Sequence, residues 1–218
     1  MIERYLHHVA TELPAPDEAV AGARVRLADK FPRPALRRMT HLGLLLGSTL
    51  EGAAPGPDDA LVYASTFAET RALEDFLQSF PAASPLLFQT SIHPGGVQQV
   101  LIGRQQPVAR LWPLAGRSRL VEQALLTALL EPAARVVLAG GEERGSWLLA
   151  RGMASARAFA FATVLTREPA GAAGRVTFFP GPGPDEPCPA LEDFTVALAR
   201  RQPLHWAGAG GTWTLAWL

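Results

Sequence analysis

Two periods of hydrophobic and polar positions alternate along the chain and mark out its elements. Residues 5–11 alternate loosely, which predicts a first strand. Across 34–50, Leu36, Met39, Leu42, Leu46 and Leu50 fall on one broad face and predict a helix, interrupted by Gly43 and Gly47. The apolar run 60–65 predicts a buried strand. Residues 66–80 predict an amphipathic helix, with Phe67, Leu73, Phe76, Leu77 and Phe80 facing inward and Glu69, Arg71 and Glu74 facing out, stopped by Pro81 and Pro85. Residues 88–103 begin as a loop and become helical. A short strand at 107–113, a sharp turn at Leu114, Ala115 and Gly116, a helix from 120 to 130 and a buried strand at 135–139 closing on Gly140-Gly141 follow. Residues 157–167 and 175–180 read as two neighbouring strands joined by a loop at 171–174. A Gly- and Pro-punctuated linker at 181–189, a helix at 190–201 and a strand at 212–218 complete the chain.

Strands separated by helices predict βαβ units, hence an α/β fold with a mostly parallel sheet and helices on both faces. A length of 218 residues fits one domain over 1–218, with 181–218 as a closing helix and strand. Twenty basic and twenty acidic side chains leave no net charge, so no global field favours nucleic acid. A single cysteine forbids an intrachain disulfide and fits a cytoplasmic protein. The first residues lack the apolar core of a secretory signal, and no run of about 18 apolar residues predicts a membrane span.

A strand that turns abruptly into a helix is a common seat for a nucleophile, because the helix start offers free N–H groups to an oxyanion. Here the turn carries Leu114, Ala115 and Gly116, none of which can attack. Cys188, between prolines, reads as a loop cysteine without a role. His7, His8 and Glu12 lack a third ligand at useful spacing, so no metal is expected. Gly140-Gly141 lacks the Gly-x-Gly-x-x-Gly context of a dinucleotide site, and its structural reading is a chain turn ending a core strand; no cofactor is expected. The serines lack the Gly-x-Ser-x-Gly elbow of hydrolases. Arg104, Arg110, Arg117 and Arg119 crowd the turn, as a solvated basic face or as contacts to an acidic partner.

Gly96, Gly103, Pro107, the Ala115 turn and Gly140-Gly141-Glu142-Glu143 keep the order and spacing of a pattern in the ketosynthases, the thiolase-fold condensing enzymes. The chain resembles their N-terminal half over roughly residues 40–165. The resemblance implies a thiolase-like half, truncated relative to a full ketosynthase. It puts Ala115, or Gly116, where the nucleophilic cysteine stands, and it leaves no room for the second half that supplies the catalytic histidines. The strand at 107–113, with Val108, Arg110 and Trp112, would pair across a subunit interface. Phe88, Ile92 and His93 would line that interface and an acyl pocket. The implied function is that of a chain-length-factor-like partner: a non-catalytic subunit in type II polyketide or aryl polyene synthesis. It would pair with a full-length ketosynthase, as a heterodimer or a dimer of heterodimers, and meet acyl carrier protein through that complex. The alternative is an independent acyl-thioester hydrolase or transferase acting through His93 or Cys188.

Overall fold

A computed structural model describes residues 1–218 except Gly183, Asp185 and Ala209. In chain order the elements are β1 (Ile2–Glu12), α1 (Val20–Arg26), α2 (Arg33–Leu36), α3 (His41–Ala53), β2 (Ala60–Ser65), α4 (Thr70–Gln78), α5 (Pro85–Thr90), α6 (Gly95–Arg104), β3 (Arg110–Ala115), α7 (Leu120–Leu130), β4 (Arg135–Glu142), β5 (Phe159–Thr166), β6 (Gly174–Pro180), α8 (Leu191–Arg200), β7 (Leu204–Gly208) and β8 (Gly211–Trp217). Short 3-10 turns lie at Ala28–Lys30 and Leu149–Arg151.

The strands form one sheet in the order β3-β2-β4-β5-β1-β6-β8-β7. The expected mostly parallel sheet is corrected to a mixed one. β2 is parallel to β3 and β4, and every other neighbouring pair is antiparallel. Parallel pairing needs a crossover, and helices supply one only between β2 and β3 and between β3 and β4. The strands at 157–167 and 175–180 are not neighbours, because β1 lies between β5 and β6 and pairs with both. Beyond 190 the chain adds a strand that the sequence pattern did not predict, β7. The expected linker at 181–189 falls partly outside the described residues.

Helices cover both faces, as expected. On one face α7 and α8 pack Leu125, Leu129, Phe194 and Leu198 against Val62, Val136, Phe161 and Trp213. On the other α3 and α6 pack Leu42, Leu46, Val97 and Val100 against Leu61, Tyr63, Val137 and Ala162. The helix predicted over 34–50 divides into α2 and α3, and Thr40 caps α3 by accepting the Gly43 N–H. Gly140 lies inside β4 and ends nothing. A Cβ there would stand 2.6 Å from the Ala64 carbonyl and 2.7 Å from the Phe161 ring, so close strand and ring approach requires the glycine.

Arg4, on β1, is fully buried. It donates to the backbone carbonyls of Glu131, Ala133 (3.0 Å) and Ala134 (3.4 Å), which follow the end of α7. Those carbonyls have no helical partner of their own, and a cation suits the negative end of the helix dipole.

β4 ends in two buried acids. Glu142 accepts the N–H groups of Thr66 and Phe67, which follow β2. Glu143 accepts from Leu42 (3.3 Å) and Ala72 (3.0 Å), in the first turns of α3 and α4. Burial outweighs these donors and pushes each carboxyl up to about 7. A folded-state value raised above the unfolded one contributes stability that is complete below the unfolded value, near 4.5, and is lost as pH rises through about 7. The melting temperature is therefore expected to fall between pH 5.5 and 8. The Glu142→Gln/Glu143→Gln double variant is expected to flatten that slope, and calorimetry at the two pH values checks it. An unchanged slope in the double variant contradicts the assignment.

Candidate functional site

β3 is an edge strand, paired with β2 from Ala60↔Arg110 to Ser65↔Ala115. Arg110 and Trp112 lie on the same face, two residues apart, and both reach Glu131, which is buried just beyond α7. Arg110 Nε donates to Glu131 Oε1 at 2.9 Å and Trp112 Nε1 to Oε2 at 2.7 Å, while the Ala133 N–H adds a third bond at 3.2 Å. Burial pushes the Glu131 carboxyl up. The Arg110, Trp112 and Ala133 donors more than offset this and hold it below the usual carboxylate range. One carboxylate thus pins the edge strand to the end of α7, with Trp112 still 43% exposed.

At the end of β3, Ala115 is exposed, Gly116 takes φ 152°, and a Cβ on Gly116 would meet nothing within 4 Å. Leu114 and Ala115 belong to β3, which corrects the turn expected at Leu114, Ala115 and Gly116: the chain turns through Gly116, Arg117, Ser118 and Arg119, where Ser118 carries a hydroxyl. Arg117 lies over the Phe67 ring at 5.4 Å and joins this turn to the segment after β2.

α4 is turned opposite to expectation. Glu69 and Glu74 are buried, while Leu73, Leu77 (42%) and Phe80 are exposed. The reason is hydrogen bonding. Glu74 accepts the N–H of Ser146 (2.8 Å) and Leu148 (3.0 Å) and the Ser146 hydroxyl (2.8 Å) in the loop after β4. Glu69 accepts the Gly96 N–H at the start of α6 (2.9 Å) and the Tyr63 hydroxyl (3.4 Å). Buried donors need acceptors, and the two glutamates supply them, so the apolar side of α4 faces out. There Phe76 contacts Phe80 and Phe88 at ring separations of 5.4 and 5.3 Å. Leu86, Phe88 (50%) and Ile92 (48%) add further exposed apolar surface on the adjoining α5 and the residues after it. An apolar surface of this kind is a usual mark of an interaction site.

His93 belongs to a different environment. Its Nδ1 lies 3.2 Å from Glu69 Oε2, and its ring stacks on Tyr63 at 5.0 Å. Tyr63 is buried, and burial, with Glu69 next, raises its hydroxyl well above the ordinary value. Val108, on the segment entering β3, packs with the α3–α6 side of the core.

The structure therefore sets Arg110 and Trp112 together on β3, and Phe88 and Ile92 on one exposed apolar surface. It does not gather Phe88, Ile92, His93 and Val108 into one cavity. A groove of about 570 Å³ lies nearby, lined by Pro32, Met39, Leu86, Gln99 and Ile102 among others, and none of those four residues lines it. Cys188 packs at the first turn of α7, near the backbone of Val121 and Glu122. Burial raises its thiol, which leaves it a weak nucleophile. Sequence reasoning missed the burial and acceptor role of five acids: Glu69 and Glu74, expected to face out, Glu142 and Glu143, read only as part of a motif, and Glu131. The one signal for them was the acid pair directly after a core strand.

Glu131→Ala removes the acceptor shared by Arg110 and Trp112. Loss of a buried, charge-assisted acceptor costs about 1–3 kcal/mol. Backbone amide exchange along β3 is expected to quicken by roughly tenfold to a hundredfold, with β5 unchanged. Hydrogen–deuterium exchange measures this, and equal quickening in both strands would make Glu131 a general stability residue only.

No family model and no curated protein matches the sequence. Solved structures do. The chain superposes on a chain of the ketosynthase ApeO–chain length factor ApeC complex from Xenorhabdus doucetiae with a TM-score of 0.67 at 18% identity, over 99% of this chain and 100% of that one. The ishigamide ketosynthase/chain length factor matches with a TM-score of 0.56 at 13% identity, over 83% of this chain and 68% of that one. A beta-ketoacyl synthase from Burkholderia phymatum gives 0.56 at 14%, over 83% and 64%. The eight-stranded mixed sheet with helices on both faces is thus the fold shared with these ketosynthase and chain-length-factor structures.

Proposed function

We propose that this chain is a non-catalytic, ketosynthase-like subunit that pairs with an active ketosynthase and helps bound its acyl pocket, as a chain length factor does in type II polyketide or aryl polyene synthesis. One observation carries the reading. The position where the resemblance seats a nucleophile holds Ala115, the last residue of β3, while β3 itself is a free edge among the described residues and bears an exposed Trp112. An unpaired apolar edge is an aggregation hazard unless a partner covers it. The exposed apolar surface of Leu77, Phe80, Leu86 and Phe88 gives the partner a second contact. Solved relatives in fold include complexes of a ketosynthase with its chain length factor, which supports pairing of the same kind. Phe88, Ile92 and His93 are the residues proposed to face the partner's acyl chain. The partner supplies the cysteine, the histidines and the docking of acyl carrier protein.

A second reading is an acyl-thioester hydrolase or transferase working alone. Its one support is the position of Cys188 at the first turn of α7. Hydrolysis of an acyl thioester by the isolated chain, abolished in Cys188→Ala, would establish it.

Co-expression with the ketosynthase encoded nearest to this chain, followed by size exclusion with light scattering, tests the first reading. A stoichiometric complex is expected. Trp112→Asp/Phe88→Asp is expected to weaken it at least a hundredfold, since buried aromatic anchors each contribute about 2 kcal/mol or more. Failure of the chain to bind any neighbouring ketosynthase overturns the proposal.

A further inference from the structure

The two edges of the sheet are treated differently. At β7 the outer edge is bonded at Ala207: the Glu186 N–H donates to the Ala207 carbonyl at 2.8 Å, and Glu186 Oε2 accepts the Ala207 N–H at 2.9 Å. At β3 no backbone group of the described residues outside β2 bonds the outward side of Leu111, Pro113 or Ala115. The direction of these groups follows from the ladder. Gly116 donates its N–H to the Ser65 carbonyl, one residue beyond the Ser65↔Ala115 pair as a parallel ladder requires, whereas Ala109, before β3 begins, donates to the Asp59 carbonyl at 2.8 Å out of that alternation. Backbone groups alternate in direction along a strand, so those of Trp112 and Leu114 also face β2. Those of Leu111, Pro113 and Ala115 face away. Pro113 has no N–H, and proline is tolerated in a sheet where its nitrogen faces outward from an edge. The middle of the three outward positions is therefore a carbonyl without a donor, with a pyrrolidine ring in its place.

We propose that Pro113 makes this edge selective: β3 accepts a proline-free edge strand from a different chain and rejects the β3 of a second copy. The inference rests on the pairing reading above and names what decides the partner. Consider two copies meeting antiparallel, with outward residues opposite outward residues. The centred register sets Pro113 against Pro113, so both donors of that bonded pair are missing and each ring meets a carbonyl. Sliding by two residues sets Pro113 against Leu111 or Ala115, but symmetry does so twice, and again two donors are missing. Every self-paired register that keeps Pro113 within the overlap carries this loss, and a register that leaves Pro113 out keeps a single bonded pair, Leu111 with Leu111 or Ala115 with Ala115. A foreign strand without proline loses a single donor in any register, and its own N–H still reaches the Pro113 carbonyl. On a strand of only six residues that difference decides between partners. Trp112 and the apolar surface of α4 and α5 remain free to bind in either case, so the discrimination lies in the backbone.

The test uses the full chain, alone and co-expressed with the neighbouring ketosynthase, with self-association followed by sedimentation across micromolar concentrations. Pro113→Val restores the donor with a good strand former, and Pro113→Ala does so without added bulk; circular dichroism confirms that each is folded. Self-association at least about tenfold tighter in both variants than in the parent is expected, with the ketosynthase complex retained. Folded variants that self-associate no more tightly than the parent overturn the inference, even if the ketosynthase complex forms and the pairing reading stands. A parent chain that already dimerises, with exchange protection appearing at Leu111 and Ala115, also overturns it. Variants that dimerise while neither they nor the parent bind a ketosynthase support selectivity at this edge and sink the proposed partner.

Discussion

Buried carboxylates that accept backbone N–H groups hold the rest of this structure in place. β2, β3 and β4 run parallel and end on the same side of the sheet, where α3, α4, α6 and α7 also begin. Helix starts and strand ends both leave N–H groups without partners, and each one left buried and unbonded costs about 1–3 kcal/mol. Glu142 takes those of Thr66 and Phe67, Glu143 those of Leu42 and Ala72, and Glu69 that of Gly96. In enzymes of open α/β architecture this end of the sheet is where ligands bind, because the same N–H groups attract anions. Here the chain's own acids occupy several of those seats. Such an arrangement stabilises the scaffold by satisfying buried donors from within the chain.

The same hydrogen bonds determine what the surface shows. Glu69 must reach the start of α6 and Glu74 the loop at 146–148, so α4 can lie on the molecule in one rotation only. That rotation turns Leu73, Leu77 and Phe80 outward. An apolar surface created by a buried polar requirement cannot be hidden by turning the helix without leaving the N–H groups of Gly96, Ser146 and Leu148 unbonded, at about 1–3 kcal/mol for each that stays buried. Covering by a partner is the remaining way to remove that surface from water.

How much of this the sequence discloses depends on which force governs each element. Strands β2 and β4 and helix α7 are legible because packing governs them and their apolar runs are unbroken. The reach of β4 to Glu142 was missed because Gly140-Gly141 reads locally as a turn, while close approach by Ala64 and Phe161 is what requires glycine there. The rotation of α4 was misread for the opposite reason. Its apolar stripe is as regular as that of a core helix, and periodicity does not reveal that three N–H groups far along the chain need acceptors. Sheet order failed at β1, which a loosely alternating segment could not place between β5 and β6. At the site, a short strand bearing Trp112 is legible, but it begins at Arg110 and runs through Leu114 and Ala115, which read locally as a turn, and Glu131, which fixes that strand, is an unremarkable acid in the sequence.

Glu131 shows why the edge and the core are one system. Its carboxylate holds Arg110 and Trp112 on β3, and its backbone carbonyl accepts from the buried Arg4 on β1, three strands away from β2 in the same sheet. The end of α7 is thereby tied to the centre of the sheet on one side and to its free edge on the other. A partner strand that pairs with β3 must match a backbone already fixed in register and twist. Little ordering entropy is then lost at the edge on association, and preorganisation of this kind raises affinity without added contact area. A strand held this firmly also cannot bend to relieve a poor fit at Pro113, so the rigidity that favours a matching strand equally penalises a mismatched one.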